Sequence, residues 1–318
     1  MPLENAPNPF WSGQGGVCVK KTARLQELFH RDDIFSIGGA ASALYAKIVE
    51  LAGYECVYMG GGLTSAIDFG IPDVGTITVT ELVDRARVMS DATEIPLISD
   101  ADQGFGNAVA VRRTVHSFIR AGVAGIHIED QIYPKPCAEK RVLPVEEAVE
   151  KYRAAVDAKR ELDSDFVLIA RCDARGAEGG SLEAAIDRLK AYKKAGVDVL
   201  WMEPLRTREE IRTLRSEVDG PIMGTHFFDP LPELAELADL GFAAGYYPIL
   251  TQQPALEAAW EFAHDFRERG VAAQLEFDRR PRKYPMPAFF DLVGLPEALA
   301  LEAKHSPPRS EGHPESAR

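Results

Sequence analysis

Pro96-Leu97-Ile98-Ser99-Asp100-Ala101-Asp102-Gln103-Gly104-Phe105-Gly106-Asn107 reads as three parts in succession: an apolar run, an acidic turn and a helix start. The run is short and continuous, as in a strand buried on both faces. It stops at two acids spaced i, i+2, which an extended chain places on one side. Gly104 and Gly106 permit a tight turn, and Asn107 can cap a helix beginning near Ala108. Two carboxylates this close repel unless a cation or a shared proton compensates. A hard divalent ion held by one or two carboxylates and several waters is the simplest compensation. A solvated acidic turn at a strand end would look the same in isolation.

Working outward, the same unit recurs on both sides. Upstream lie a helix over 20–29, a strand over 34–37, a helix over 42–51 and a strand over 56–59 that opens into Gly60-Gly61-Gly62. A helix over 80–92 then leads into the quoted stretch. Downstream, helix 107–120 leads to strand 125–128 and Glu129-Asp130, and helix 145–161 leads to strand 166–170 and Arg171. Helix 181–194 leads to strand 197–202 and Glu203, and helix 207–217 leads to strand 221–223 and His226. Helix 231–239 leads to strand 243–247, and a last long helix follows over 253–269. Eight strands alternating with helices in about 250 residues predict a TIM barrel. A doubly wound open sheet is the fallback, but a GxGxxG turn is missing after the first strand. The barrel domain is expected over 20–304, after an irregular segment 1–19 and before a disordered tail 305–318.

Composition narrows the partners. The chain has 318 residues, 46% hydrophobic and 27% charged, with a net charge of −13. That balance argues against nucleic acid or an anionic membrane as the main partner. The first residues lack a basic-then-apolar order, and no apolar run is long enough to span a membrane. Cys18, Cys56, Cys137 and Cys172 form no CxxC pair, which favours reduced thiols and a cytoplasmic setting.

In a TIM barrel the working residues sit at the C-terminal ends of the strands. Those ends supply Ser42, Gly60, Gly61, Gly62, Asp100, Asp102, Glu129, Asp130, Arg171, Asp173, Glu203 and His226. Asp100, Asp102 and Glu129 come from neighbouring strands and could converge on one Mg²⁺. Arg171 suits a bidentate grip on a carboxylate or phosphonate, with a salt bridge to one of the acids as the plainer and less favoured alternative. The connection 130–141 is the longest after a strand and suits a lid. It carries Lys135, Lys140 and Arg141, which would depress the pKa of Cys137 if folded beside it and suit that thiol to proton transfer; an inert thiol in a basic loop is the plain alternative. His127 and Cys172 fall inside strand patterns and read as core.

Four motifs taken together resemble the isocitrate lyase and phosphoenolpyruvate mutase superfamily over roughly residues 20–300. They are Asp100 to Asn107, Gly125-Ile126-His127-Ile128-Glu129-Asp130-Gln131, Pro134-Lys135-Pro136-Cys137 and Ile169-Ala170-Arg171-Cys172-Asp173-Ala174. The resemblance implies Mg²⁺, with Mn²⁺ as the alternative ion, on Asp100, Asp102 and Glu129. It implies a small 2-oxo or 2-hydroxy acid as substrate, and a homotetramer that exchanges C-terminal helices between subunits. Cys137, the Arg-x-Asp-Ala at 171–174 and Glu203 look like the carbon–carbon lyases, methylisocitrate and dimethylmalate lyase types. In such a lyase Cys137 is the proton donor, Arg171 stabilises the leaving carboxylate, and Glu203 binds substrate or positions a proton relay. Gly60, Gly61, Gly62, Ser42, Arg171 and His226 are expected to bind substrate. The chain departs from the lyase pattern at Ala138-Glu139 for Gly-His, Ala41-Ser42 for Tyr-Asp, Gly60-Gly61 for Ser-Gly and Gly224-Thr225-His226 for Asn-Met. Oxaloacetate decarboxylation, C–P chemistry on phosphonopyruvate, and a non-catalytic oxo-acid-binding barrel are the rival expectations.

Overall fold

The computed structural model describes residues 19–133, 135, 139–224, 231–284 and 286–306. Eight parallel strands form one sheet: β1 Phe35–Gly39, β2 Cys56–Met59, β3 Leu97–Asp100, β4 Gly125–Glu129, β5 Val167–Cys172, β6 Val199–Met202, β7 Met223–Gly224 and β8 Ala244–Tyr247. Their order is β6-β5-β4-β3-β2-β1-β8-β7. A parallel bridge between Leu200 and Ile222 joins the two ends. The result is the expected TIM barrel, nearly closed, with helices around it.

The period of two along each strand divides the apolar residues into two cores. Val57, Met59, Leu97, Ile126, Ile128, Leu168 and Leu200 face outward to the helices. Ile37, Tyr58, Ile98, Ile169, Trp201 and Tyr246 fill the barrel interior. Leu25, Leu28 and Phe29 of the helix Lys21–His30 belong to the inner core and cover the N-terminal end of the barrel. Gly125 leaves room for that helix, since an added Cβ would sit 3.0 Å from Leu25 Cδ2 and 2.8 Å from the Val167 carbonyl oxygen. With one end covered, the mouth at the C-terminal ends of the strands is where ligand can enter.

One connection at that mouth differs from the sequence expectation, and a second is tied at its base. Gly60-Gly61-Gly62 reads as a loop opening, but Gly61–Thr64 is a short helical turn that runs into a π-helical turn, Ser65–Phe69. The Thr64 and Ser65 hydroxyls donate back to the carbonyls of Gly60 and Gly61 at 2.9 Å, which holds the turn together. The connection after β4 is tied at its base: Gln131 bridges Val142 antiparallel, and the Leu143 N–H donates to the Asp130 carbonyl at 2.9 Å.

After the barrel come the helices Gln252–Arg269, Val271–Arg279 and Leu295–His305. Trp260 is 70% exposed on the first of them. No helix of the described residues is long and apolar enough to cross a membrane. Cys137, His226 and the tail beyond 306 lie outside the described residues.

Candidate active site

The turn after β3 is built as its sequence suggests. Asp102 adopts a left-handed conformation (φ 45°), which Asp tolerates better than most residues, and its N–H donates to Asp100 Oδ1 at 2.8 Å. Gly104 (φ 84°) lies so close to the following helix that a Cβ would sit 2.6 Å from Val111 Cγ2. The Asn107 side chain accepts from the N–H groups of Val109 and Ala110, capping the helix Ala108–Arg120. The Ala101 N–H donates to the His127 carbonyl and the Glu129 N–H to the Asp102 carbonyl, which joins the acidic turn to β4.

Six carboxylates lie buried at this mouth: Asp100, Asp102, Glu129, Asp130, Asp173 and Glu203. So many charges out of water demand compensation. Lys135 and Arg171 supply it within the cluster, while Lys140 pairs with Asp173 and Arg188 with Asp130. Lys135 Nζ lies 2.7 Å from Asp102 Oδ1 and 3.4 Å from Glu129 Oε1. Arg171 Nη1 lies 3.4 Å from Glu129 Oε2. The acids around Lys135 hold its amine firmly protonated despite burial.

The acids nevertheless differ in kind. For Asp100, burial is outweighed by His127, Lys135 and Arg171, so its pKa falls to about 2. Burial and the neighbouring Asp100 push Asp102 up to about 6, and burial pushes Glu129 up to about 8. Asp100 is also held in place: besides the Asp102 amide on Oδ1 it accepts the Gly61 N–H on Oδ2 at 3.0 Å, which leaves a lone pair on each oxygen. Asp102 Oδ1 and both oxygens of Glu129 are buried and make ion pairs but no hydrogen bond.

Arg171 is gripped from within. Nε and Nη2 donate to the two oxygens of Asp173 at 2.9 and 3.0 Å. Its guanidinium carbon lies 4.9 Å from the centre of the Trp201 ring. Asp173 also takes Lys140 Nζ at 2.7 Å, and its own N–H donates to Asp130 Oδ1 at 2.8 Å. Asp130 in turn accepts the Tyr192 hydroxyl at 2.6 Å. The bidentate edge expected to meet a substrate carboxylate is thus turned to Asp173, and Nη1 is the part directed at the acid cluster.

Glu203 follows β6, with its N–H on the Cys172 carbonyl and Oε2 accepting Trp201 Nε1–H at 2.9 Å. Oε1 is buried without a hydrogen bond, and burial raises the carboxyl to about 7. His127 is wholly buried, as its strand position suggests, but its Nε2 meets the Tyr58 hydroxyl at 2.8 Å and lies 3.5 Å from Asp100 Oδ1. Gly61 spends its N–H on Asp100, so that group is not free for substrate. A Cβ on Gly61 would sit 3.0 Å from Asp100 Oδ2, and one on Gly62 would sit 3.0 Å from Asp73 Oδ2. Ser42 begins the helix Ala43–Leu51 without capping it through its side chain.

Sequence reasoning listed Lys135 only as a lid cation and passed over Asp73, Tyr58 and Trp201. Lys135 and Asp73 meet through a loop contact with no local signature, Lys135 Nζ donating to Asp73 Oδ1 at 3.1 Å. Tyr58 and Trp201 look like ordinary strand aromatics.

The chain matches the family model described as phosphoenolpyruvate phosphomutase over residues 25–266. The chain belongs to the PEP mutase/isocitrate lyase family. It is 38% identical over 246 residues to 2,3-dimethylmalate lyase of Eubacterium barkeri, covering 76% of this chain and 84% of that protein. It is 38% identical over 248 residues to 2-methylisocitrate lyase of Escherichia coli strain K12, covering 76% and 82%. Among solved structures, a 2,3-dimethylmalate lyase superposes with a TM-score of 0.80 at 29% identity, covering 91% of this chain and 96% of that one. A phosphonopyruvate hydrolase in complex with oxalate and Mg²⁺ superposes with a TM-score of 0.79 at 27% identity, covering 90% and 99%. Membership makes the chain an enzyme of a lyase family, and the buried acid cluster at the barrel mouth lies where such a fold places its chemistry.

Among the described residues there is no group of three or more His, Cys, Asp or Glu side chains arranged to hold an ion as they stand. The donor set nonetheless suits Mg²⁺, which keeps several waters and needs only one or two carboxylates. The oxygens without hydrogen bonds, Asp102 Oδ1 and those of Glu129, are hard donors of that type.

Proposed function

We propose that the chain is a divalent-metal-dependent carbon–carbon lyase. It would cleave a small 2-hydroxy di- or tricarboxylate, of the 2-methylisocitrate or dimethylmalate kind, into a 2-oxo acid and a second carboxylate. The observation that carries this reading is the pairing of hydrogen-bond-free buried oxygens on Asp102 and Glu129 with the fixed cation of Arg171. Asp100, Asp102 and Glu129 would hold Mg²⁺ or Mn²⁺. When bound, the ion supplies Lewis acidity toward the oxygens of an oxo acid.

The chain's own residues account for the remaining demands. In retro-aldol cleavage the hydroxyl loses its proton, the carbonyl forms, and the electron pair of the broken C–C bond goes to the leaving fragment. Glu203, near neutrality and with a free Oε1, is suited to hold the hydroxyl proton. Arg171 supplies positive charge for the carboxylate that develops on the leaving fragment, and Asp173 keeps it from swinging away. Cys137 delivers the proton that quenches the carbanion; this assignment rests on its sequence position among Lys135, Lys140 and Arg141. Gly60, Gly62, Ser42 and His226 would complete the substrate pocket.

The assembly belongs to the same proposal. Large apolar side chains of the C-terminal helices, including Leu256, Trp260 and Leu299, lie exposed on the single chain. Large exposed apolar side chains of that kind favour burial against another subunit, as in a homotetramer with exchanged helices. Cys56 and Cys172 are free buried thiols, which fits a cytoplasmic setting.

The test is an assay for 2-oxo acid release with and without Mg²⁺ over 2-methylisocitrate, 2,3-dimethylmalate, citramalate, oxaloacetate and phosphonopyruvate. Metal-dependent pyruvate from a hydroxy acid is expected. Turnover confined to oxaloacetate or phosphonopyruvate would replace the lyase reading. Cys137→Ser should abolish cleavage while product still binds; normal turnover would remove Cys137 from the scheme.

A further inference from the structure

The acid cluster already contains a cation supplied by the protein itself. Lys135 Nζ is 2.7 Å from Asp102 Oδ1, 3.4 Å from Glu129 Oε1 and 3.1 Å from Asp73 Oδ1. It donates to Asp73 at 3.1 and 3.4 Å and pairs with Asp102 Oδ1 and Glu129 Oε1 inside the cluster. The side chains of Asp102 and Glu129 are buried, whereas that of Asp73 is 44% exposed.

We infer that Lys135 and the divalent ion are alternative occupants of the seat between Asp102 and Glu129. Asp73 is the carboxylate that keeps the ammonium when the ion enters. This rests on the metal-dependent reading above and adds to it a competitor built into the chain. An ion taking Asp102 Oδ1 or Glu129 Oε1 would share an oxygen with the ammonium. Two cations around one buried oxygen repel strongly where water is scarce. Lysine can resolve the conflict because its charge sits at the end of a flexible stem. Asp73 can receive it because it is already hydrogen-bonded and faces outward. The backbone keeps the two close: a Cβ on Gly75 would lie 3.2 Å from the Lys135 amide nitrogen, so the loop carrying Asp73 packs directly against Lys135.

The experiment uses the full chain, stripped of metal and titrated with Mn²⁺ alone, with free ion followed by electron paramagnetic resonance. Lys135→Met should bind Mn²⁺ about tenfold more tightly or better, the scale of removing one like-charged neighbour. Equal or weaker binding by this variant overturns the inference. Lys140→Met, which removes the cation on Asp173, should leave the affinity within about twofold. The same gain there would mean that overall charge, not the shared seat, is responsible, and would overturn the inference. Failure of both wild type and Lys135→Met to bind Mn²⁺ would bring down the metal reading as well. Binding that Lys135→Met leaves unchanged brings down only the competition. A second measurement needs no variant: acetylation of surface amines, read by mass spectrometry, should label Lys135 faster when Mg²⁺ is added. An unchanged or slower rate overturns the inference.

Discussion

Asp173 holds Arg171 by two parallel hydrogen bonds, Nε to Oδ2 at 2.9 Å and Nη2 to Oδ1 at 3.0 Å. The carboxylate is wholly buried and also pairs with Lys140. Its removal strands a buried guanidinium, which typically costs about 3–5 kcal/mol. Asp173→Ala is therefore expected to lower unfolding free energy by about that amount in urea titration. Asp173→Asn, which can still accept one of the two bonds, should lose less stability but more activity than stability alone explains. Arg171 would then be free to turn toward Glu129. An Asp173→Ala variant as stable as wild type would show that the pair carries no energy.

Glu203 gives a pH dependence with a definite sign. In an unfolded chain it loses its proton near the ordinary 4.5, and in the folded protein burial raises that to about 7. Between these values the folded state binds the more protons, so stability falls as pH rises. The contribution is full below 4.5 and is lost through about 7, amounting to about 3 kcal/mol over the window. Glu203→Gln keeps an acceptor for Trp201 but cannot ionise. The metal-free variant should gain stability relative to wild type as pH rises from 4.5 to 7. Parallel pH profiles for the two proteins would show that Glu203 is not a perturbed carboxyl.

His127 should remain neutral over the whole working range. Burial lowers it to about 4, even though Asp100 pulls the other way. Nuclear magnetic resonance should therefore show its ring carbons flat from about pH 5 upward. Tyr58→Phe removes the 2.8 Å bond to Nε2 and should cost about 1 kcal/mol. A normal titration of His127 near 6.5 would contradict its placement between Tyr58 and Asp100.

Much of this was legible in the sequence, for identifiable reasons. Strands buried on both faces are written as continuous apolar runs, so β3 through β6 could be located within a residue or two. The rule that strand C-termini carry the chemistry then placed Asp100, Asp102, Glu129, Arg171 and Glu203 at one mouth. What could not be read is how side chains divide the available partners. The motif Arg171-x-Asp173 does not say that the arginine bonds its own neighbour in preference to a ligand. Nothing near Gly61 says that its N–H serves Asp100, because that contact spans 39 residues. The seat of Lys135 depends on Asp73, 62 residues away, and charge composition alone made it only one of several loop cations.

Trp201 joins more of the site than any catalytic assignment suggests. It is buried on β6, donates Nε1–H to Glu203, stacks under Arg171 and meets His127 and Tyr246 edge-on, with ring centres 5.0 and 4.9 Å away. Trp201→Ala should cost about 3–5 kcal/mol, because a large aromatic is deleted from a packed interior. Trp201→Phe is the sharper test. It keeps most of the packing and removes the indole N–H that, with Arg171 and Lys140, favours ionised Glu203, so it should raise the Glu203 pKa further. The stability gained by adding Glu203→Gln to Trp201→Phe should then keep growing to higher pH before levelling off than the gain from Glu203→Gln in the wild-type background. Coincident profiles would mean that the indole N–H does not set the charge of Glu203, and that Trp201 serves the site through packing alone.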